Sequence, residues 1–200
     1  VAWAVGLAAV VALTAAFNPS LEGAFDNVET GGTLDSLLGL SDGIDPSTPL
    51  GFLWSNLYSN IVPWILMALG ISLGAAAIAG DEEKGTLEYL LSKPVTRAEV
   101  LVGRLAGALT ILFAVAVVSG AVLALVAPLF DLTTAMVTTV DGTTVSSPGV
   151  SIGDIAAGTF AAFAVGVGTG AIAFLLGTAF GRYGLAIGIA SGDAIAGYLL

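Results

Sequence analysis

The side chains able to do chemistry at a charged surface are gathered in one passage, Asp81 to Glu99, which holds three of the five basic residues, with a fourth, Arg104, just beyond. Its carboxylates Glu82, Glu83 and Glu88 would serve general acid–base catalysis or metal binding only beside a companion acid at a defined spacing, a second ligand or a pocket. The chain has no histidine and no cysteine, so the commonest general base and the thiolate ligands are absent. No catalytic residue and no metal ligand are assigned, and a solvated charged face is the default for these acids. No G-x-x-x-x-G-K-[ST] occurs, and Gly166, Gly168 and Gly170 do not fit G-x-G-x-x-G, so ATP binding by this chain is not expected. An intramembrane aspartyl protease is also excluded: Ser191-Gly192-Asp193 follows Ala190, and no Tyr-Asp occurs.

The elements that must hold this passage are two short helices around a break. Leu87, Leu90 and Leu91 recur at i, i+3, i+4 and share one face of an amphipathic helix too short to stand alone, so they need a partner surface. Pro94 ends that helix. Thr96 and Glu99 then have the spacing of a capping box, with Val95 and Val100 placed for a hydrophobic staple, so a new helix is expected from Thr96.

On both sides lie apolar segments. The chain is 56% hydrophobic and 10% charged, with a mean hydropathy of +1.00, which is the composition of a multi-span membrane protein. We expect an all-α polytopic transmembrane bundle with spans at about 1–17, 61–80, 105–130, 155–181 and 183–200. All five basic residues, Lys84, Lys93, Arg97, Arg104 and Arg182, fall on the second-to-third and fourth-to-fifth connections. The positive-inside rule then puts segment 81–99 in the cytoplasm and the loops 18–60 and 131–154 outside. Val1 opens an apolar run without methionine or a basic flank, so the chain is read as a fragment, with the fifth span cut short of an expected six. The net charge of −10 disfavours a nucleic-acid partner.

Other local signals can be read. Thr48 and Pro49 form an N-cap and N1 pair, opening a helix that could run on to Gly80 with a kink at Pro63. Phe52, Trp54, Tyr58 and Trp64 are expected as an aromatic belt at the outer interface. Leu34, Leu37 and Leu38 have helical spacing, and 140–145 has the pattern of a hairpin turning at Asp141-Gly142. Gly103/Gly107, Gly166/Gly170, Gly177/Gly181 and Gly184/Gly188 have the four-residue spacing that brings membrane helices close, within one subunit or against a second. Asp193 is the single ionisable residue inside a span, roughly 15 Å from Tyr183 at about 1.5 Å per residue. It is either a residue of a substrate path or an acid near solvent at the end of a broken helix.

The string Ile78-Ala79-Gly80-Asp81-Glu82-Glu83-Lys84-Gly85-Thr86-Leu87-Glu88-Tyr89-Leu90-Leu91-Ser92-Lys93-Pro94-Val95-Thr96-Arg97, followed by Gly103-Arg104-Leu105, resembles the signature of ABC-2 type transporter permeases. In that family an acidic pair, a Gly-Thr-Leu-Glu, a Leu-Leu-Ser and a Pro-Val-Ser/Thr-Arg stand in this order between the second and third spans. The resemblance implies a permease in the cell membrane that exports a substrate, and the apolar, nearly uncharged spans fit a lipid-like, drug-like or other small molecule without selecting among them. It implies a coupling helix, with Glu82, Glu83, Gly85, Thr86, Leu87, Glu88, Leu90, Leu91, Pro94 and Arg97 facing a separate ATP-binding subunit that holds ATP and magnesium. It also implies a second permease subunit, with membrane lipids around both. The alternative is a membrane-embedded enzyme or scaffold whose cytoplasmic helix binds another partner.

Overall fold

The structure, a computed structural model, describes residues 2–21, 48–83, 96–140 and 143–199, with the backbone alone at 17–21, 81–82, 97, 136–140, 143–145 and 198–199. The expected helices around Leu34 and around Leu87 to Leu91, and Val95 of the staple, lie outside the described residues. In chain order the elements are α1 (Ala2–Leu21), α2 (Pro49–Ala76), α3 (Ala79–Glu83), α4 (Arg97–Val126), β1 (Met136–Val140), β2 (Thr143–Ser147), α5 (Ile152–Phe180) and α6 (Tyr183–Leu199). A 3₁₀ turn, Ala127–Phe130, extends α4. Among the described residues, three helices are long and apolar enough to cross a membrane: α2, α4 with its 3₁₀ extension, and α5; the apolar part of α1, Ala2–Ala16, is shorter.

The chain divides into two compact units, one of Val1–Val62 with Ala116–Ala161 and one of Pro63–Val115 with Ala162–Leu200. In the first, α1 buries Leu7, Val11 and Ala15, one stripe at i, i+4, i+8. That helix packs against the Leu53–Ile61 stretch of α2 and against the 3₁₀ turn. Helix α2 opens as its cap predicts: the Gly51 amide donates to Thr48 Oγ1 at 3.0 Å, and Pro49 occupies N1. The irregularity expected at Pro63 is met upstream instead. Leu53–Ile61 is a π-helix, with the Val62 amide donating five residues back to Leu57. A proline in α register would press its ring on the carbonyl four residues before it, and the wider turn upstream absorbs that conflict.

The wider turn also changes what the aromatic residues do. Phe52 and Tyr58 are buried rather than set in an interfacial belt, Tyr58 with only 7% exposure. The Tyr58 hydroxyl donates to the Ile155 carbonyl of α5 at 3.1 Å and lies 3.0 Å from Thr159 Oγ1. Its ring lies so close to Gly158 that a Cβ there would stand 2.7 Å from it. Trp64 stays exposed, while Trp54 is half-buried and tilted against Tyr58 at 5.5 Å. A buried tyrosine is stable only with its hydroxyl paired, and α5 supplies the partner.

The hairpin is present and longer than expected: β1 and β2 pair antiparallel from Met136↔Ser147 to Val140↔Thr143, which leaves residues 141–142 as its connection. Its return is pinned by the Val150 amide donating to the Leu132 carbonyl at 2.8 Å. Helix α5 then begins with a capping box of its own: the Ser151 amide and hydroxyl both donate to Asp154 Oδ2, at 2.9 and 2.7 Å, and the Asp154 amide donates back to Ser151 Oγ at 3.2 Å.

In the second unit, Met67, Ile71 and Ala75 of α2 pack with Ala173 of α5 and with Ala186, Ala190 and Ala194 of α6. Beside this cluster the α2 and α5 backbones touch. A Cβ at Gly70 would overlap the Gly166 carbonyl, one at Gly74 would overlap the Gly170 carbonyl, and one at Gly170 would stand 2.9 Å from the Gly70 carbonyl. The expected Gly166/Gly170 pair therefore packs within the chain, against a second four-residue pair, Gly70/Gly74. Gly177 also faces α2, with Ala75 and Ala79 at ordinary contact distance, whereas added side chains at Gly184 and Gly188 would meet nothing. Large apolar side chains such as Phe113 and Leu175 remain exposed on α4 and α5. That surface is stable only where the surroundings are hydrocarbon.

Two substitutions test this packing. Gly74→Val should destabilise the protein by about 1–3 kcal/mol, the cost of overpacking, read as a lowered thermal midpoint in detergent, while Gly188→Ala leaves the midpoint unchanged or raised. Tyr58→Phe should cost about 1 kcal/mol by the same measurement.

Candidate functional site

The charged passage is described at its two ends. Helix α2 stops at Ala76, where the Ala77 amide is shared between the carbonyls of Leu73 and Gly74, at 3.1 and 3.3 Å. Helix α3 follows, anchored by the fully buried Ala79 and packed on α6. It carries the backbone of Glu82 and the exposed Glu83 outward. Gly85, Thr86, Leu87, Glu88, Leu90, Leu91 and Pro94 lie outside the described residues, and Arg97 is described by its backbone at the first position of α4.

The exit is fixed by the expected capping box. Glu99 Oε2 accepts from the Thr96 amide at 2.7 Å and from the Thr96 hydroxyl at 2.9 Å, and the Glu99 amide donates to Thr96 Oγ1 at 3.2 Å. The box pairs amides that the first helical turn leaves without partners, and it sets the glutamate charge on the positive end of the helix dipole. Helix α4 is therefore regular from its first residue.

Within the second unit these ends come together. A groove is lined by Ala76 and Ala77 from the end of α2 and by Glu99, Gly103 and Arg104 from the start of α4. The end of α5 is at the same level, since Gly177 lies against Ala75 and Ala79. Helix α5 closes on Gly181, which has φ 62°, the left-handed conformation of a helix C-cap glycine, with its amide donating to the Gly177 carbonyl at 3.0 Å. Arg182, exposed, then leads into α6. Arg104 and Arg182, from two different connections, thus stand at one end of the unit.

Asp193 is exposed on α6, one position before the buried Ala194 of the Ala186/Ala190/Ala194 stripe. It lies outside the cluster formed with α2 and α5. The Gly70/Gly74 half of the helix contact and the Ser151/Asp154 cap were not among the features expected from the sequence, though both have a recognisable signal in their spacing. Among the described residues no group of three or more acids could hold a metal ion.

Apolar helices of spanning length, an exposed apolar surface and a charged passage between two of those helices define a multi-pass membrane protein. The profile of the family described as ABC-2 family transporter protein matches residues 3–190, and the chain belongs to that family. It is accordingly a membrane permease component of an ABC transporter. No curated protein and no solved structure matches the chain.

Glu99→Gln and Thr96→Ala should each cost about 0.5–2 kcal/mol of local helix stability, the usual worth of an N-cap. Amide hydrogen exchange over Ala98 to Val100 should quicken in both variants while exchange at the α5 entry stays unchanged.

Proposed function

We propose that this chain is the membrane-spanning permease subunit of an ABC-2 type exporter, driven by ATP hydrolysed on a separate subunit. The observation that carries the proposal is the ordered polar string from Asp81 to Arg97, set between two apolar helices and rooted in regular structure at both ends. In this reading the segment after Glu83 is a coupling helix on the cytoplasmic face. Leu87, Leu90 and Leu91 fill an apolar cleft of the ATPase, Gly85, Thr86 and Pro94 shape the turns on either side, and Glu82, Glu83, Glu88 and Arg97 meet charges on its rim. Hydrophobic anchors at the centre with charges around them are the usual anatomy of such an interface.

The capped start of α4 gives the coupling helix its lever. Regular hydrogen bonding begins at Arg97, so displacement that reaches Thr96 is carried into α4 from its first turn. The ATPase holds ATP and magnesium, a second permease subunit completes the pathway, and the cargo is lipid-like or drug-like, as apolar spans favour. Asp193 lines that pathway once another helix or a second subunit covers its face of α6.

Leu90→Asp should abolish co-purification with the ATP-binding subunit while membrane insertion stays intact, because a buried unpaired carboxylate is excluded from an apolar cleft. Unchanged co-purification would contradict the docking role.

A further inference from the structure

Helix α2 contains a stretch that no part of the proposed transport cycle uses. Leu53–Ile61 is π-helical, with α-helical geometry before and after it. Nine residues is long for a form found mostly as single-turn bulges, and such bulges gather at functional sites. Burial shows what the wide register does. Leu53, Leu57, Val62 and Leu66 are each at most 2% exposed, at steps of four, five and four residues. An α-helix running on from Leu53 would bring Leu57, Asn60 and Trp64 round to one face and carry Val62 off it. Tyr58, five residues past Leu53, would leave that face as well. The π register therefore sets Tyr58 and Val62 inside and keeps Asn60 from turning into the core.

One side chain bonds in a way that only this register permits. The Asn60 side-chain amide donates to the Ser55 carbonyl, five residues back, at 2.8 Å. A helical side chain lies over the turn before its own Cα, where an α-helix offers carbonyls three and four residues back. A reach of five residues belongs to the wider turn. Asn56 supplies the contrast: it donates to the Phe52 carbonyl, four residues back, at 3.2 Å, a bond that either register allows. On the opposite side of the same stretch, the Tyr58 hydroxyl is seated on Ile155 and Thr159 of α5. The register and the contact with α5 are thus set together.

We propose that α2 is a two-register helix and that Asn60 is its lock. With the Asn60 amide on the Ser55 carbonyl, the segment is π and Tyr58 holds α5. With that bond broken, the segment closes to α, the Tyr58 ring turns out of the core, and its hydroxyl leaves Ile155 and Thr159. Every residue of the device belongs to the first unit. It needs no nucleotide and no partner, so it does not depend on the transporter reading.

The test uses the full chain labelled with fluorotyrosine and read by fluorine NMR in detergent micelles. The chain has four tyrosines, and the signal missing from Tyr58→Phe is that of Tyr58. The wild-type protein should show one Tyr58 signal, left sharp by a nitroxide-bearing detergent because the ring is buried. Asn60→Leu removes the donor and gives the α register an apolar side chain to bury, so a second Tyr58 signal, broadened by the nitroxide, should appear and become the larger. Asn60→Ala, which removes the donor alone, should show both signals. Asn56→Leu should keep the single sharp one. An asparagine that merely adds stability would lower the thermal midpoint when replaced and add no second signal. One unmoved Tyr58 signal in the Asn60 variants would therefore overturn the proposal, and so would a second signal of equal size in Asn56→Leu. If Asn60→Leu fails to fold, seen as collapse of the other three tyrosine signals, Asn60→Ala alone decides. None of these results bears on co-purification with an ATPase, so the transporter reading stands or falls separately.

Discussion

The second unit rests on the absence of side chains at four positions. With glycine at 70, 74, 166 and 170, the backbones of α2 and α5 meet directly, and no other residue type fits at that separation. In lipid, helices gain nothing by hiding apolar groups from one another, so close packing must supply the attraction that burial supplies in water. The glycine contact does this, and alanines at 173, 186, 190 and 194 continue the same economy of volume onto α6. The charged end of the unit is built beside this contact, with α3 packed on α6 and the start of α4 lining a groove with the end of α2.

Beside that close-packed base, the charged passage is bounded by two well-defined ends. Ala79 is buried at one, and the Thr96/Glu99 box closes the other. The proposed coupling role needs such ends, since force applied between them is lost if either helix frays. The other unit carries the opposite emphasis, with a π-helix, a 3₁₀ turn and a hairpin, held by a tyrosine hydrogen bond and a second capping box.

Local features were legible in the sequence where a few neighbouring residues decide them. The caps at Thr48 and Thr96 and the hairpin about residues 141–142 need only spacing and residue type, and the structure has them. The order of helices follows from apolar length, and membership of the ABC-2 family agrees with the polar string that suggested it. What stayed hidden depends on partners far away in the chain. Gly166 and Gly170 announced a close contact but not its address, although Gly70 and Gly74 carry the same spacing. Tyr58 looked interfacial because composition cannot show that a π register turns its hydroxyl toward Ile155 and Thr159. The Ser151/Asp154 cap was passed over because its aspartate reads equally well as one more acid of a solvated loop. Asp193 is placed on a helix face whose neighbours the described residues do not supply.

The proposed coupling role requires the passage between α3 and α4 to project into the cytoplasm and to be covered there by a nucleotide-driven partner. The chain lacks cysteine, so one introduced at Glu88 can be followed without background. A membrane-impermeant maleimide should leave Glu88→Cys unlabelled in intact cells, label it in inverted membrane vesicles, and lose access when the ATP-binding subunit is added. Labelling from outside intact cells, or access in inverted vesicles that the ATPase never reduces, would contradict the claim.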